Sequence, residues 1–277
     1  MKRRNQFWGL HAKPSTLTRW GVGLLPFILL IVVYMWGSHV RHLENEQDKL
    51  LPTPVQIKDA AYNAAFEENR RTGEVILWSD TAASLTRLLI GVGLAALAGL
   101  TLGVVTGVFP GGKTLFHPFL SAIAMVPPLA ILPILFITLG VGEVAKIALI
   151  VLGLFALIAR DMDLAVSALP REQITKALTL GASAKDIVIR VVLPQVIPRL
   201  IEAIRLSLGA AWLFLIAAEA IAAESGLGYR IFLVRRYLAM DLILPYVMWI
   251  TLLGFMMDLG LRGLLRLWFP WYVASRH

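Results

Sequence analysis

Long apolar runs separated by polar stretches dominate the chain. Apolar residues fill 20–36, 88–109, 119–139, 144–159, 200–223 and 242–261 with few charges inside them. A run of about 20 apolar residues crosses a bilayer as a helix, so the pattern predicts an all-α membrane protein with about six transmembrane helices. The polar stretches differ in character. Residues 38–80 are acidic and carry the corner Leu51-Pro52-Thr53-Pro54, which predicts an ordered cap containing a helix over 55–69. Residues 160–199 begin polar and then read as helix, turn, helix. Pro170 opens the first arm, Ile174, Ala177 and Leu178 share one face, and Gly181 ends it. Ser183 with Asp186 then forms a capping box for a second arm, which Pro194 and Pro198 interrupt. Apolar Leu178, Leu180 and Ile187 on so polar an element predict a protein partner that covers them.

Within the spans, three features stand out. Gly91, Ala95, Gly99, Gly103 and Gly107 recur at four-residue steps, which predicts a groove where another helix packs closely. Pro127, Pro128 and Pro133 break or kink the third span, and carbonyls freed there are tolerable only inside the bundle or beside a wet cavity. These prolines are candidate lining of a translocation pathway, with a kinked packing helix as the alternative. Glu219 lies in the apolar run LGAAWLFLIAAEAIAA, where it must be paired, protonated or facing water. It is either a pathway group or a structural partner of Arg87 or Arg235. Arg87, at the outer start of the second span, either receives an anion or anchors its helix.

Composition sharpens this picture by exclusion. With 58% hydrophobic residues and a mean hydropathy of +0.73, the chain has no room for a separate catalytic domain. The absence of cysteine excludes disulfides and thiolate metal sites. His39 and His42 lack a third ligand, and no cluster of His, Asp, Glu or Ser within the spans supports catalysis, so neither a metal nor a catalytic site is expected. The net charge of +8 is read by its placement, as a membrane-side bias and not as a nucleic-acid patch. Lys2, Arg3, Arg4, Lys13 and Arg19 precede the first run, while Arg262, Arg266 and Arg276 follow the last. Both termini, the loop with Lys113 and the 160–199 segment are therefore placed in the cytoplasm. Arg230, Arg235 and Arg236 dissent, and the 224–241 stretch reads as a surface helix on the other side. The resulting division is a cytoplasmic segment 1–19, a first span 20–37, a periplasmic segment 38–80, a core 81–268 with its elbow at 170–190, and a cytoplasmic tail 269–277. Gly107 to Thr114 matches the spacing of a nucleotide-binding phosphate loop, but a membrane helix precedes it where a strand is needed, so it is read as a glycine turn.

The elbow resembles the cytoplasmic signature of type I ATP-binding cassette importer permeases: Glu-Ala-Ala, three residues, Gly, nine residues, Ile-x-Leu-Pro. Thr175-Lys176-Ala177, Gly181 and Val191-Val192-Leu193-Pro194 keep its spacing, although Thr175 and Lys176 replace the first two residues. The resemblance continues through Ser84-Leu85-Thr86-Arg87, Val126-Pro127-Pro128, Ala218-Glu219 and Ser225-Gly226-Leu227-Gly228-Tyr229, and it is to the nitrate, taurine and alkanesulfonate branch. It implies a coupling helix that docks on an ATPase through Thr175, Lys176, Ala177, Leu178, Leu180, Gly181, Ala182, Ser183, Asp186, Leu193 and Pro194. It further implies a homodimer of permeases in the lipid of a bacterial inner membrane, two cytoplasmic ATPases that hold the ATP and Mg, and a periplasmic solute-binding protein. The chain itself then carries no cofactor and no enzymatic activity. Two alternatives remain on the sequence: a permease for urea-, guanidine- or pyrimidine-related nitrogen compounds, and a secondary transporter or channel without an ATPase, which predicts ion-coupling acids at mid-membrane.

Overall fold

The computed structural model describes residues 15–45, 48–68 and 73–274. Lys2, Arg3, Arg4, Lys13 and Arg276, which entered the charge argument, lie outside them. The described residues form helices α1 (Thr16–Glu44), α2 (Pro54–Phe66), α3 (Ile76–Val108), α4 (Pro110–Ala124), α5 (Pro128–Leu139), α6 (Glu143–Ser167), α7 (Arg171–Thr179), the turn α8 (Ala184–Asp186), a π-helical stretch Ile187–Val192, α9 (Leu193–Ala222), α10 (Leu227–Arg235), α11 (Met240–Trp268) and α12 (Pro270–Ala274). Four helices are long and apolar enough to cross a membrane, or five with α4 and α5 counted as one bent crossing.

The centre of the bundle is α3 against α6, and small residues set how closely they approach. A Cβ on Gly91 would stand 2.8 Å from Ile150, on Gly99 2.7 Å from Ile158, and on Gly107 2.5 Å from Val166; one on Gly103 would overlap Met162. These contacts keep a constant offset along both helices, so α3 and α6 run parallel. Because the two run parallel, the chain between them must travel back along the bundle, and α4 with α5 is that return. The two meet at 97°, because Pro127 and Pro128 cannot donate the hydrogen bonds that would continue α4. The expected count of about six is reached only by adding α6, which carries Lys146, Arg160, Asp161 and Asp163 among its apolar residues and is not one of the helices apolar enough to cross.

Several boundaries differ from the sequence reading. The first helix continues past residue 37 to Glu44, since Ser38 and Tyr34 donate to the carbonyls of Leu51 and Pro52 and tie its outer end to the chain beyond. Elsewhere α1 makes few contacts with the rest of the chain: 6% of its most apolar stretch is buried, as in α11, against 44% for α3. The third span was expected to begin at 119, but α4 already starts at Pro110 and Pro118 sits inside it. The cap helix α2 carries the Thr53–Gln56 capping box behind Pro54 and ends at Phe66. At the other terminus, part of the expected tail is the short helix α12.

Candidate functional site: a polar elbow and a buried charge network

The elbow is α7, its turn, and the arm that leads into α9. Helix α7 ends in a Schellman motif: Ala182 N–H donates to Ala177 and Gly181 N–H to Leu178, with Gly181 at φ 82. No atom lies within 4 Å of a Cβ built there, so glycine is needed for its backbone angle alone. Ser183 and Asp186 form the capping box, Asp186 N–H to Ser183 Oγ at 3.2 Å and Ser183 N–H to Asp186 at 3.3 Å. The Ser183 hydroxyl and amide hold the Asp186 carboxyl below its ordinary pKa.

Pro194 does not interrupt the second arm, contrary to the sequence reading. Leu193 N–H reaches back to Val188, five residues away, and this wider turn carries the chain past the proline that has no N–H to give. The helix runs continuously from Ala184 to Ala222, with Pro198 buried inside it. The elbow is thus rigidly joined to a membrane helix. Gln195 Nε2 adds a brace to Gln173 of α7 at 2.9 Å. Of the apolar residues expected at the surface, Leu178 and Leu180 are 56% and 87% exposed, whereas Ile187 is buried. Ile174 and Ala177 turn inward onto the core, which leaves the tip around Leu178 and Leu180 free. Thr175, Lys176, Gly181 and Ser183 are exposed around it, and Ala182 and Leu193 are half-buried.

At the opposite end, charged side chains converge from α3, α6, α9 and α10. Glu219 is fully buried and accepts from Arg87 Nη1 at 2.7 Å, Ser84 Oγ at 2.8 Å and the Gly228 N–H at 2.8 Å. Arg87 also donates to Glu143 and to the Ser225 carbonyl, and Lys146 donates to Glu143 at 2.9 Å. Asp80 accepts from Arg230 Nε at 2.8 Å and the Gly226 N–H at 2.9 Å. Asp80, Glu143 and Glu219 balance Arg87, Lys146 and Arg230; Glu143 is exposed, whereas the ions buried in the apolar bundle demand such partners. The start of α10 comes this close because it has glycines. A Cβ on Gly226, at φ 128, would be 2.5 Å from the Glu219 carboxylate, and one on Gly228 2.9 Å from the Ile216 backbone. The amides of Leu227 and Gly228 then point at Ser84 and Glu219, an anion at a helix N-terminus.

This network accounts for one of the three arginines that broke the charge pattern on the 224–241 stretch. Arg230 is paired with Asp80, and Arg235, which the sequence offered as a partner of Glu219, instead lies 4.9 Å over the Phe232 ring. Sequence reasoning joined Glu219 to Arg87 but missed Asp80, Ser84, Glu143, Lys146 and Arg230 as one cluster. The signal available for the α6 pair was an acid and a base three residues apart at the mouth of an apolar run. Pro127 and Pro128 lie at the α4–α5 break, and Pro133 is exposed on α5, apart from the Glu219 network. The phosphate-loop match occupies the end of α3 and the first turns of α4, where the Cβ of a residue replacing Gly112 would strike the Val105 carbonyl; no cradle of amides exists there.

Comparison with known proteins agrees with this geometry. Residues 95–267 match the family model described as binding-protein-dependent transport system inner membrane component. The taurine transport system permease protein TauC of Escherichia coli is 34% identical over 88% of both chains. A permease protein named for aliphatic sulfonates transport in the same organism is 30% identical over 94% of this chain and 96% of its own. The nitrate import permease protein NrtB of Leptolyngbya laminosa is 28% identical over 64% of each. Among solved structures, a chain of the MetNI methionine ABC transporter has the same fold, with a TM-score of 0.56 at 20% identity over 68% of this chain and 96% of that one.

Proposed function

The chain belongs to the family of binding-protein-dependent transport system inner membrane components, and from that membership we propose that it imports taurine or a closely related small sulfonate, driven through its elbow by a cytoplasmic ATPase. As a member it is the non-enzymatic permease of an ATP-binding cassette importer, a multi-pass component of the inner membrane that works with an ATPase and a solute-binding protein. The finer assignments belong to the proposal. The elbow end of the bundle and both termini face the cytoplasm, two copies of the chain form the pathway, and ATP and Mg are held by the ATPase subunits.

The observation that carries the mechanical reading is the continuity of the elbow with α9. An ATPase that grips Leu178 and Leu180 moves a helix that runs unbroken from Ala184 to Ala222. At its far end Glu219 is bonded to α3 and α10, and Arg87 extends the link to α6. Displacement of the elbow therefore carries these helices together, the rigid-body motion that alternating access needs. In this reading Glu219 and Arg87 are the fastening of that body and not a solute site: their bonding capacity is used within the protein, and a bare carboxylate would repel an anionic solute. The sulfonate assignment follows the identity to the taurine and aliphatic sulfonate permeases. Its test is ATP-driven uptake by the importer reconstituted with its ATPase and binding protein. Taurine or an alkanesulfonate is taken up if the proposal holds; uptake confined to nitrate or to a urea-like compound contradicts it.

A further inference from the structure

One cavity, near the elbow end of the bundle, holds charged groups that neither the elbow nor the fastening network uses. It measures about 280 Å³ and is lined by Thr106 of α3, His117, Leu120 and Ser121 of α4, and Arg160 and Asp163 of α6. Asp163 is 6% exposed and its Oδ1 is buried without a hydrogen-bond partner. A carboxylate so placed is costly unless something in the cavity answers it. Arg160 stands one helical turn before it, on the same face, and is exposed. The two are not within ion-pair distance, although both line the same space. Thr106, fully buried, spends its proton on the Gly103 carbonyl at 3.2 Å and keeps its oxygen as an acceptor. The cavity thus offers a negative, accepting wall beside a positive, donating one.

Resting on the sulfonate reading above, we propose that this cavity binds a small zwitterion, an aminosulfonate, with its ammonium on Asp163 and its sulfonate toward Arg160. The volume falls just below that of pockets for drug-sized ligands, about 300–1,000 Å³, and fits a small solute. A simple anion would leave Asp163 unanswered, and a simple cation would leave Arg160 idle. A ligand carrying both charges a few bonds apart satisfies both walls at once. The site lies beside the last turns of α3 and α6, so it meets the solute on the elbow side of the membrane.

The test is binding to the intact importer in lipid nanodiscs without its solute-binding protein, by calorimetric titration with taurine, ethanesulfonate and ethylamine. Taurine is expected to bind at least tenfold more tightly than either half-ligand. Asp163→Asn should weaken taurine about tenfold and leave ethanesulfonate unchanged. Arg160→Gln, at an exposed position whose loss disturbs no packing, should weaken taurine and ethanesulfonate together and spare ethylamine. Equal binding of taurine and ethanesulfonate, or taurine affinity unmoved by Arg160→Gln, overturns the inference even if Asp163→Asn fails to fold. Parallel uptake assays with the binding protein present separate the two readings. Sulfonate uptake without this binding removes the inference alone; absence of sulfonate uptake removes the reading on which it rests.

Discussion

At one end of the bundle charged side chains from four helices are drawn together and mostly buried, while at the other an elbow stands exposed and is held largely by its own backbone. The first end is fastened by Arg87, Glu219 and Asp80 with partners at 2.7 to 2.9 Å. The second rests on a Schellman turn, a capping box and one Gln–Gln brace. The difference teaches where the molecule can tolerate change. Buried ion pairs demand every partner, because losing one leaves an uncompensated charge in an apolar setting. Backbone caps tolerate almost any side chain but depend on one or two special residues. A permease that must pass force from a docked partner to a membrane core gains from this arrangement: an accessible handle at one end, a unit that moves as one at the other.

The comparison breaks most severely where the fastening is cut. Arg87→Met leaves Glu219 without its cation and is expected to destabilise the protein by about 3–5 kcal/mol. Thermal unfolding of the purified chain in detergent measures this, and Arg87→Met with Glu219→Gln should recover part of the loss, since no charge is then stranded. A next, smaller effect is expected at the helix contact that aligns the two ends. Gly99→Leu forces a side chain where even a Cβ meets Ile158 at 2.7 Å, with a cost of about 1–3 kcal/mol from overpacking; Gly93→Leu, where nothing lies within 4 Å, serves as the control. At the elbow, Gly181→Val should cost about 1–2 kcal/mol through its left-handed backbone alone, and Gly181→Asn less. Reduced ATPase association and uptake in the valine variant, with partial retention in the asparagine variant, would place the effect in the turn and not in lost contact area.

The smallest effect is a pH response confined to the elbow. Asp186 titrates lower in the folded protein than in the unfolded chain, because Ser183 bonds its carboxylate. Its contribution is complete above the ordinary carboxyl pKa of about 3.9 and disappears as pH falls through the lower folded value. Elbow docking should therefore be flat from neutral pH to about 5, then weaken under stronger acid, and Asp186→Asn should remove that acid limb. A pull-down of the ATPase across this range reads it directly.

How much of this was legible beforehand depended on whether the cause was local. The Ser183 box, the Gly181 stop, the Thr53-Pro54 start of α2 and the break at Pro127 and Pro128 each follow from a few adjacent residues, and each could be read from spacing. The four-step glycine stripe announced a close helix contact without naming α6 as its partner. The buried network was only partly readable, because Asp80, Arg87, Glu143, Glu219 and Arg230 are far apart in the chain and meet only through packing. Ile187 misled for the same reason: on a polar arm it looked exposed, but the arm continues into the bundle and carries it inside. Pro194 misled because a wider turn, which no propensity signals, let the helix continue through it.

The central claim is that the elbow projects into the cytoplasm and there meets a motor. The chain contains no cysteine, so Leu180→Cys, at the most exposed large apolar position of the elbow, provides a single reporter. Membrane-impermeant maleimide should label it in inside-out vesicles stripped of the ATPase, leave it unlabelled in intact cells, and be excluded when the ATPase is added back. Labelling from the outside of intact cells, or labelling in stripped vesicles that added ATPase does not diminish, would contradict the account.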